Sequence, residues 1–258
     1  MQLGLNIDHI ATLREARKIN DPDPLEAIFI AKNAGVSQIT IHLREDRRHI
    51  NDFDVKRIIE SSFLPINIEC SIDEYIVDFI CKQKPYKVTL VPEKREEVTT
   101  EGGLNMENNK IKDVIKEFQK HDIFVATFID PNLSALELSK SYGADGIEIH
   151  TGYYANLTLM LYSNLKNTHN SIKNLELDKN SLIQEINTSL ETIKNIAMRA
   201  KKLNLGVYAG HGLNYFNVKE IVKIQEIEEL NIGQSIIAKS VFVGLKEAIK
   251  DMLDLMRV

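Results

Sequence analysis

Four titratable residues sit where acid/base chemistry would need them. Glu69 and His42 interrupt the short β-branched runs PINIEC (65–70) and QITIHL (38–43), Glu148 lies in DGIEIH (145–150), and His211 is enclosed by Gly210 and Gly212. A carboxylate set into an apolar run needs a partner or a raised proton affinity, and imidazoles change charge near neutral pH. Together such groups can take up and release several protons. Each also has a structural reading: Glu69 as a salt-bridged core acid, His42 as a hydrogen-bonded core imidazole. His211 favours a functional reading, because flanking glycines let the backbone approach a ligand closely. Asn6 and Asp8 in LGLNID (3–8) are expected on one face of a strand, with His9 turning out at its end; a polar plug at the rim is their structural reading.

Two glycine-bearing segments, AGHGLN (209–214) and NIGQS (231–235), suit an anion, and the second leads into a helix expected from Gln234. Arg17, Arg44, Arg47, Arg48, Lys94 and Arg95 fall in the same kind of segment, with Arg48 and Lys94 expected in solvent. The run from Thr99 to Gly103 reads as a long loop, a lid or a plain connection. Five of the seven histidines, all but His121 and His169, lie in or just after a β-branched run.

Eight such runs must position these residues: 3–8, 38–43, 65–70, 86–91, 123–128, 145–150, 205–210 and 228–233. Helix-start chemistry lies between them. Asp23-Pro24 sets a cap and a first-turn proline, and Ser71/Glu74, Ser134/Glu137 and Ser181/Gln184 have capping-box spacing. In AKNAGVSQITI and KSYGADGIEI a glycine stands at the expected helix end just before the next run. Eight strands alternating with helices over 258 residues predict an α/β fold, a (β/α)8 TIM barrel with extra helices, as one domain over residues 1–258. An open doubly wound sheet would carry a glycine fingerprint after its first strand, and NIDHIATLREAR has no glycine. In the barrel, reacting groups belong at the carboxyl ends of the strands, where the residues above fall. From Tyr153 to Leu205 there is neither Gly nor Pro, and eight Asn occur within 156–195. The stripe Leu182, Ile186, Leu190, Ile193, Ala197 predicts a helix there. The segment reads as an extended crossover between strands six and seven, a helical insertion around 156–195 with a polar linker near 164–174.

Composition narrows the function classes. A formal charge of −5 argues against nucleic acid and anionic membranes as partners. Two cysteines cannot build a disulfide framework, and no apolar stretch is long enough for a membrane span. With no basic, apolar leader at its start, the chain is expected in the cytoplasm. No nucleophile elbow, P-loop or dinucleotide fingerprint is present. Asp8, His9, His42, Glu69, Glu148, His150 and His211 could converge on a divalent cation, as in barrel hydrolases acting on phosphorylated small molecules. Against this, adjacent strand residues such as Asp8 and His9 would point to opposite faces. No metal is expected.

The segments NIDHIATLREAR (6–17), HLREDRRHI (42–50), VPEKREEVTTEGGL (91–104), EIHTG (148–152), AGHGL (209–213) and ELNIG (229–233) resemble, in order and along the whole chain, the pyridoxine 5′-phosphate synthase family of vitamin B6 biosynthesis. The resemblance implies condensation of 1-deoxy-D-xylulose 5-phosphate with 3-amino-1-hydroxyacetone 1-phosphate, without a cofactor, on a (β/α)8 barrel assembled as a homo-octamer. It implies Glu69 and His42 as proton acceptors, His211 as proton donor and Glu148 as a transition-state stabiliser. Asn6, Asp8, His9, Arg44, His49 and Thr99 would hold the sugar phosphate; Arg17, Gly212, Gly233 and Gln234 would hold the aminoketone phosphate. The chain departs from the family pattern at Gln234, where the family usually has His, and in a longer crossover.

Overall fold

A computed structural model describes residues 1–93 and 102–257; Lys94, Arg95 and Thr99 lie outside the described residues. The eight β-branched runs form β1 (Gln2–Asn6), β2 (Gln38–His42), β3 (Ile66–Cys70), β4 (Lys87–Leu90), β5 (Phe124–Ile129), β6 (Gly146–His150), β7 (Gly206–Gly210) and β8 (Glu229–Ile232). All pair in parallel in sequence order, and β8 closes on β1 through Leu3↔Leu230 and Leu5↔Ile232. The helices are α1 (Asp8–Arg17), α2 (Pro24–Ala34), α3 (Asp52–Ser61), α4 (Glu74–Gln83), α5 (Lys110–Lys120), α6 (Leu133–Tyr142), α7 (Gly152–Tyr162), α8 (Lys179–Lys202), α9 (Val218–Val222), α10 (Gln234–Val243) and α11 (Leu245–Leu255). The fold is the predicted (β/α)8 barrel with extra helices.

Strand alternation divides the core in two. Ile39, Ile41, Ile66, Ile68, Val88 and Leu90 are buried and belong to the apolar core shared by strands and helices. The opposite face of the strands is polar. Lys87, 2 % exposed, places Nζ 2.8 Å from Glu229 Oε1 and 3.8 Å from the Tyr208 ring centre, and Gln38 donates to the same carboxylate oxygen at 2.8 Å. Above them Thr40 donates to Asn231 Oδ1 (3.0 Å), Thr89 to Asn67 Oδ1 (3.0 Å), and Asn231 Nδ2 to Glu148 Oε2 (2.8 Å). Buried polar groups are tolerable because they pair in this way.

Several local expectations need correction. Asp23 caps α2 with Pro24 behind it, and Gly35 and Gly143 end α2 and α6 at φ 102° and 88°, as predicted. The three capping boxes are displaced: Asp73, Asn132 and Asp178 cap α4, α6 and α8, while a capping box forms at Asn51/Asp54. Asp and Asn accept from first-turn N–H groups as well as Ser does, so the serine spacing alone did not decide the start. β1 stops at Asn6, and Asp8 and His9 begin α1 instead of extending the strand. The crossover is a helical hairpin, α7 and α8 joined by two short 3-10 turns. Leu182, Ile186, Ile193 and Ala197 are buried and Leu190 is half-buried, so this stripe faces the rest of the molecule. Among the described residues no helix is long and apolar enough to cross a membrane.

Candidate active site

The carboxyl ends of the strands surround one cavity of about 730 Å³. His42, Glu69, Glu148 and His211, from β2, β3, β6 and the end of β7, all line it, as do Asn6, Asp8, His9, Arg44, His49, Gly212, Gly233 and Gln234. Arg17 does not: it is exposed in the last turn of α1. Thr99 lies outside the described residues. Arg48, expected in solvent, is exposed but stands at the cavity rim and pairs with Asp46.

His42 and Glu69 form the basic wall. Parallel pairing sets His42 opposite Glu69, with Nδ1 3.8 Å from Glu69 Oε2. The other imidazole nitrogen, Nε2, lies 2.8 Å from Glu93 Oε1. A carboxylate only accepts, so Nε2 carries the hydrogen and the Nδ1 lone pair faces Glu69. Burial raises the proton affinity of Glu93, but the hydrogen bond and charge of His42, the Glu45 N–H and Arg44 outweigh it and hold Glu93 below the ordinary carboxylate range. Sequence reasoning did not single out Glu93 as a site residue. Its only signal was an acid just past strand four, which no periodicity ties to His42.

Glu69 behaves differently. Burial first, then the nearby carboxylates of Glu148 and Asp8, push it well above the ordinary range, against the opposing charge of Lys87. Burial also pushes Glu148 up to about 7, with Lys87 opposing, Glu229 adding, and the Asn231 amide partly compensating. Two carboxyl groups lining one cavity, Glu148 buried and Glu69 half-buried, both with raised proton affinity, take protons strongly when ionised and can return them when protonated.

Across the cavity, His211 and Gly212 are consecutive residues with positive φ, 79° and 78°. For His211 this backbone is costly and must be held by its surroundings. Thr151 does so: its hydroxyl lies 2.7 Å from the carbonyl oxygens of both Gly210 and His211. Burial and then the His150 ring lower the His211 imidazole to about 4.

Two groups of cavity-lining residues suit anions. One is built by Gly212, Gly233 and the start of α10 at Gln234, with Ser235 Oγ donating to Leu213 O at 2.8 Å to tie the two loops together. A Cβ at Gly233 would lie 2.8 Å from His9 Cε1 and 2.9 Å from Asn6 O, so only glycine fits there. Gln234 and Ser235, in the first turn of α10 where backbone N–H groups lack intrahelical acceptors, line the cavity. The other group is Arg44, His49 and His9, the last of which also stands against Gly233. His49 Nδ1 accepts from the Ile50 N–H at 2.8 Å, leaving Nε2 as a donor. Burial lowers the proton affinity of His49 and His9, against the charge of Asp8.

Asp8 organises this corner. Its Oδ1 accepts from the His42 N–H at 2.8 Å and its Oδ2 from Asn6 Nδ2 at 2.9 Å. Because Asp8 and His9 open a helix, both reach the cavity, so the expectation that they point to opposite faces does not hold. Asp8, His42 and Glu69 can each offer a ligand atom within 4.8 Å of the others; His150 and His211 stand outside this group.

The family model described as pyridoxal phosphate biosynthesis protein PdxJ matches residues 3–258. The chain belongs to the PdxJ family. It is 59% identical over 258 residues to the pyridoxine 5′-phosphate synthase of Wolinella succinogenes, covering 99% of this chain and 98% of that one. It is also 59% identical over 259 residues to the protein of the same name from Aliarcobacter butzleri, covering 100% and 99%. Both PdxJ alignments run almost end to end, extended crossover included. In fold alone, the chain is similar to the phosphoribosyl anthranilate isomerase of Thermococcus kodakaraensis, with TM-score 0.61, 9% identity, and coverage of 99% and 98%.

Proposed function

We propose that this chain is a pyridoxine 5′-phosphate synthase, joining 1-deoxy-D-xylulose 5-phosphate and 3-amino-1-hydroxyacetone 1-phosphate into pyridoxine 5′-phosphate with release of phosphate and water. The observation that carries the reading is one cavity lined by two groups of anion-accepting residues together with Glu69 and Glu148, carboxyl groups of raised proton affinity. The PdxJ membership supplies the substrates.

The amine arrives on one substrate, so imine formation needs no protein lysine. The enzyme's part is to hold two phosphorylated molecules with reacting atoms together and to move protons. Glu69 and His42 Nδ1, 3.8 Å apart, take protons from the sugar phosphate chain. His211 protonates a departing oxygen. Glu148 stabilises positive charge once ionised, or donates a hydrogen bond while neutral. Asn6, Asp8, His9, Arg44, His49 and Thr99 are assigned to the sugar phosphate. Gly212, Gly233 and Gln234 take the aminoketone phosphate through backbone N–H groups, which makes Gln in place of His a mild change. Arg17 enters this reading from the resemblance alone. The chain is read as a single domain acting in the cytoplasm as a homo-octamer; the exposed Phe216, Val241 and Phe242 support self-association.

A metal-dependent hydrolase of a phosphorylated small molecule is the second reading, favoured by the Asp8, His42, Glu69 group. Both Asp8 oxygens and His42 Nε2 are already engaged, which argues against it. The test is pyridoxine 5′-phosphate formation from the two substrates with and without a chelator. Chelator-insensitive product is expected. Folded protein that gives no product, or product only with added metal, overturns the cofactor-free synthase.

A further inference from the structure

His150 is a buried titratable group without a role in the mechanism above. It closes β6 and is 8 % exposed. Its Nδ1 lies 2.9 Å from Asp130 Oδ1, just past β5. Asp130 is held below the ordinary carboxylate range, first by this hydrogen bond and, against burial, also by the Gly103 N–H. It is therefore ionised and can only accept, so Nδ1 of His150 carries a hydrogen. The opposite nitrogen, Nε2, is buried and has no hydrogen-bond partner among the described residues. A buried polar atom left in that state is rare and asks for a reason.

The neighbour of that ring is His211. The two imidazole centres are 5.0 Å apart with planes at 68°, an edge-to-face contact, and Phe128 flanks both at 5.0 and 6.4 Å. Gly152 permits the approach: a Cβ there would fall 2.4 Å from His150 Nε2 and 3.0 Å from His211 Cδ2. A line of three groups thus runs inward, from Asp130 with a side chain 52 % exposed, through His150, to His211 on the cavity wall.

We propose that Asp130 and His150 are a positioning pair for His211: Asp130 fixes the tautomer and tilt of the His150 ring, and the His150 ring, packed edge-to-face, holds the His211 ring toward the departing oxygen. This rests on the reading of His211 as proton donor. The charge of His150 already contributes to the low proton affinity of His211, after burial. In the step served, His211 is protonated in the substrate complex, where the negative charge of two phosphate groups opposes the effect of burial, and its N–H bond then breaks as the proton passes to the departing oxygen. That oxygen takes the C–O electron pair and leaves as water, and His211 is left neutral. Around the two rings, the titratable groups among the described residues are Asp130 beyond β5, Glu148 on β6 and, across the cavity, Glu69 on β3. α7, β8 and the segment after β4 present Gly152, Asn231 and the Gly103 backbone, which carry no charge.

The experiment follows the His211 imidazole C–H resonance with pH, beside steady-state kinetics for both substrates, in the wild type, His150→Gln, Asp130→Asn and His211→Asn. His150→Gln keeps a donor for Asp130 but removes the ring. The His211 titration is expected to move up by about one pH unit, and kcat to fall about tenfold with both KM values nearly unchanged. Asp130→Asn, at the exposed end, moves both readouts the same way and carries the test if His150→Gln does not fold. A His211 titration unmoved in both variants overturns the pair, as does a rise in KM with kcat intact. If His211→Asn turns over like the wild type, the donor reading fails, and the positioning role with it. If the wild type makes no product, the synthase reading fails while the titration still decides whether His150 governs His211.

Discussion

Glu148→Gln should make the protein more stable at alkaline pH while impairing turnover. Glu148 is 2 % exposed, and its folded-state pKa is raised from 4.5 to about 7. A raised pKa means that the native state prefers the protonated carboxyl. The associated stability is fully present below about pH 4.5 and is lost as pH rises through about 7. Over that window the linkage amounts to about 3 kcal/mol, at roughly 1.4 kcal/mol per pH unit. Glutamine keeps an oxygen to accept from Asn231 Nδ2, now 2.8 Å from Glu148 Oε2, but never ionises. The variant should therefore match the wild type near pH 4.5 and exceed it by about 3 kcal/mol above pH 8. Because Glu148 also raises the proton affinity of Glu69, the substitution lowers Glu69 toward the ordinary range. With no Trp in the chain, urea unfolding is best followed by far-UV circular dichroism at the two pH values. An equal stability difference at both would mean that Glu148 ionises as an ordinary carboxylate, and the reasoning from burial would be refuted.

Three further outcomes are expected. Glu69→Gln should lower kcat by about a hundredfold or more while calorimetry shows phosphate binding retained; full turnover would remove Glu69 as the base. Glu93→Gln withdraws the charge beside His42 Nε2, so kcat should fall about tenfold with an unchanged far-UV spectrum; wild-type kcat would show that Glu93 does not set the His42 tautomer. Lys87→Met leaves Glu229 buried with Gln38 as its remaining side-chain partner among the described residues, and unfolding in urea should show a loss of about 3–5 kcal/mol, with a neutral result refuting the view that this ion pair anchors the barrel floor.

The barrel was legible because each strand carries apolar residues at alternate positions and the returns carry turn and helix signals of their own. Helix starts were less so. Ser71, Ser134 and Ser181 have suitable spacing, but Asp73, Asn132 and Asp178 offer the same hydrogen bonds and took the caps. The site residues that sit on strands, His42, Glu69 and Glu148, could be placed because a polar residue on a buried strand is conspicuous. Glu93 and Asp130 could not, since an acid in a loop looks like any solvated charge until its partner is known.

The sequence by itself determined the order of strands and helices, the crowding of histidines and carboxylates at strand ends, and, through its motifs, the family. Those are local or one-dimensional properties, fixed by side-chain type and spacing. Only the tertiary structure decided that β8 closes on β1 and that Glu93 reaches His42. It alone brought Asp130, His150 and His211 into line, and it pushed Glu69 and Glu148 above the ordinary carboxylate range, first by burial and then by neighbouring carboxylates. Proton affinity depends on every charge within several ångströms and on the exclusion of water. Those neighbours come from strands and loops far apart along the chain, and closing the barrel is what makes them neighbours.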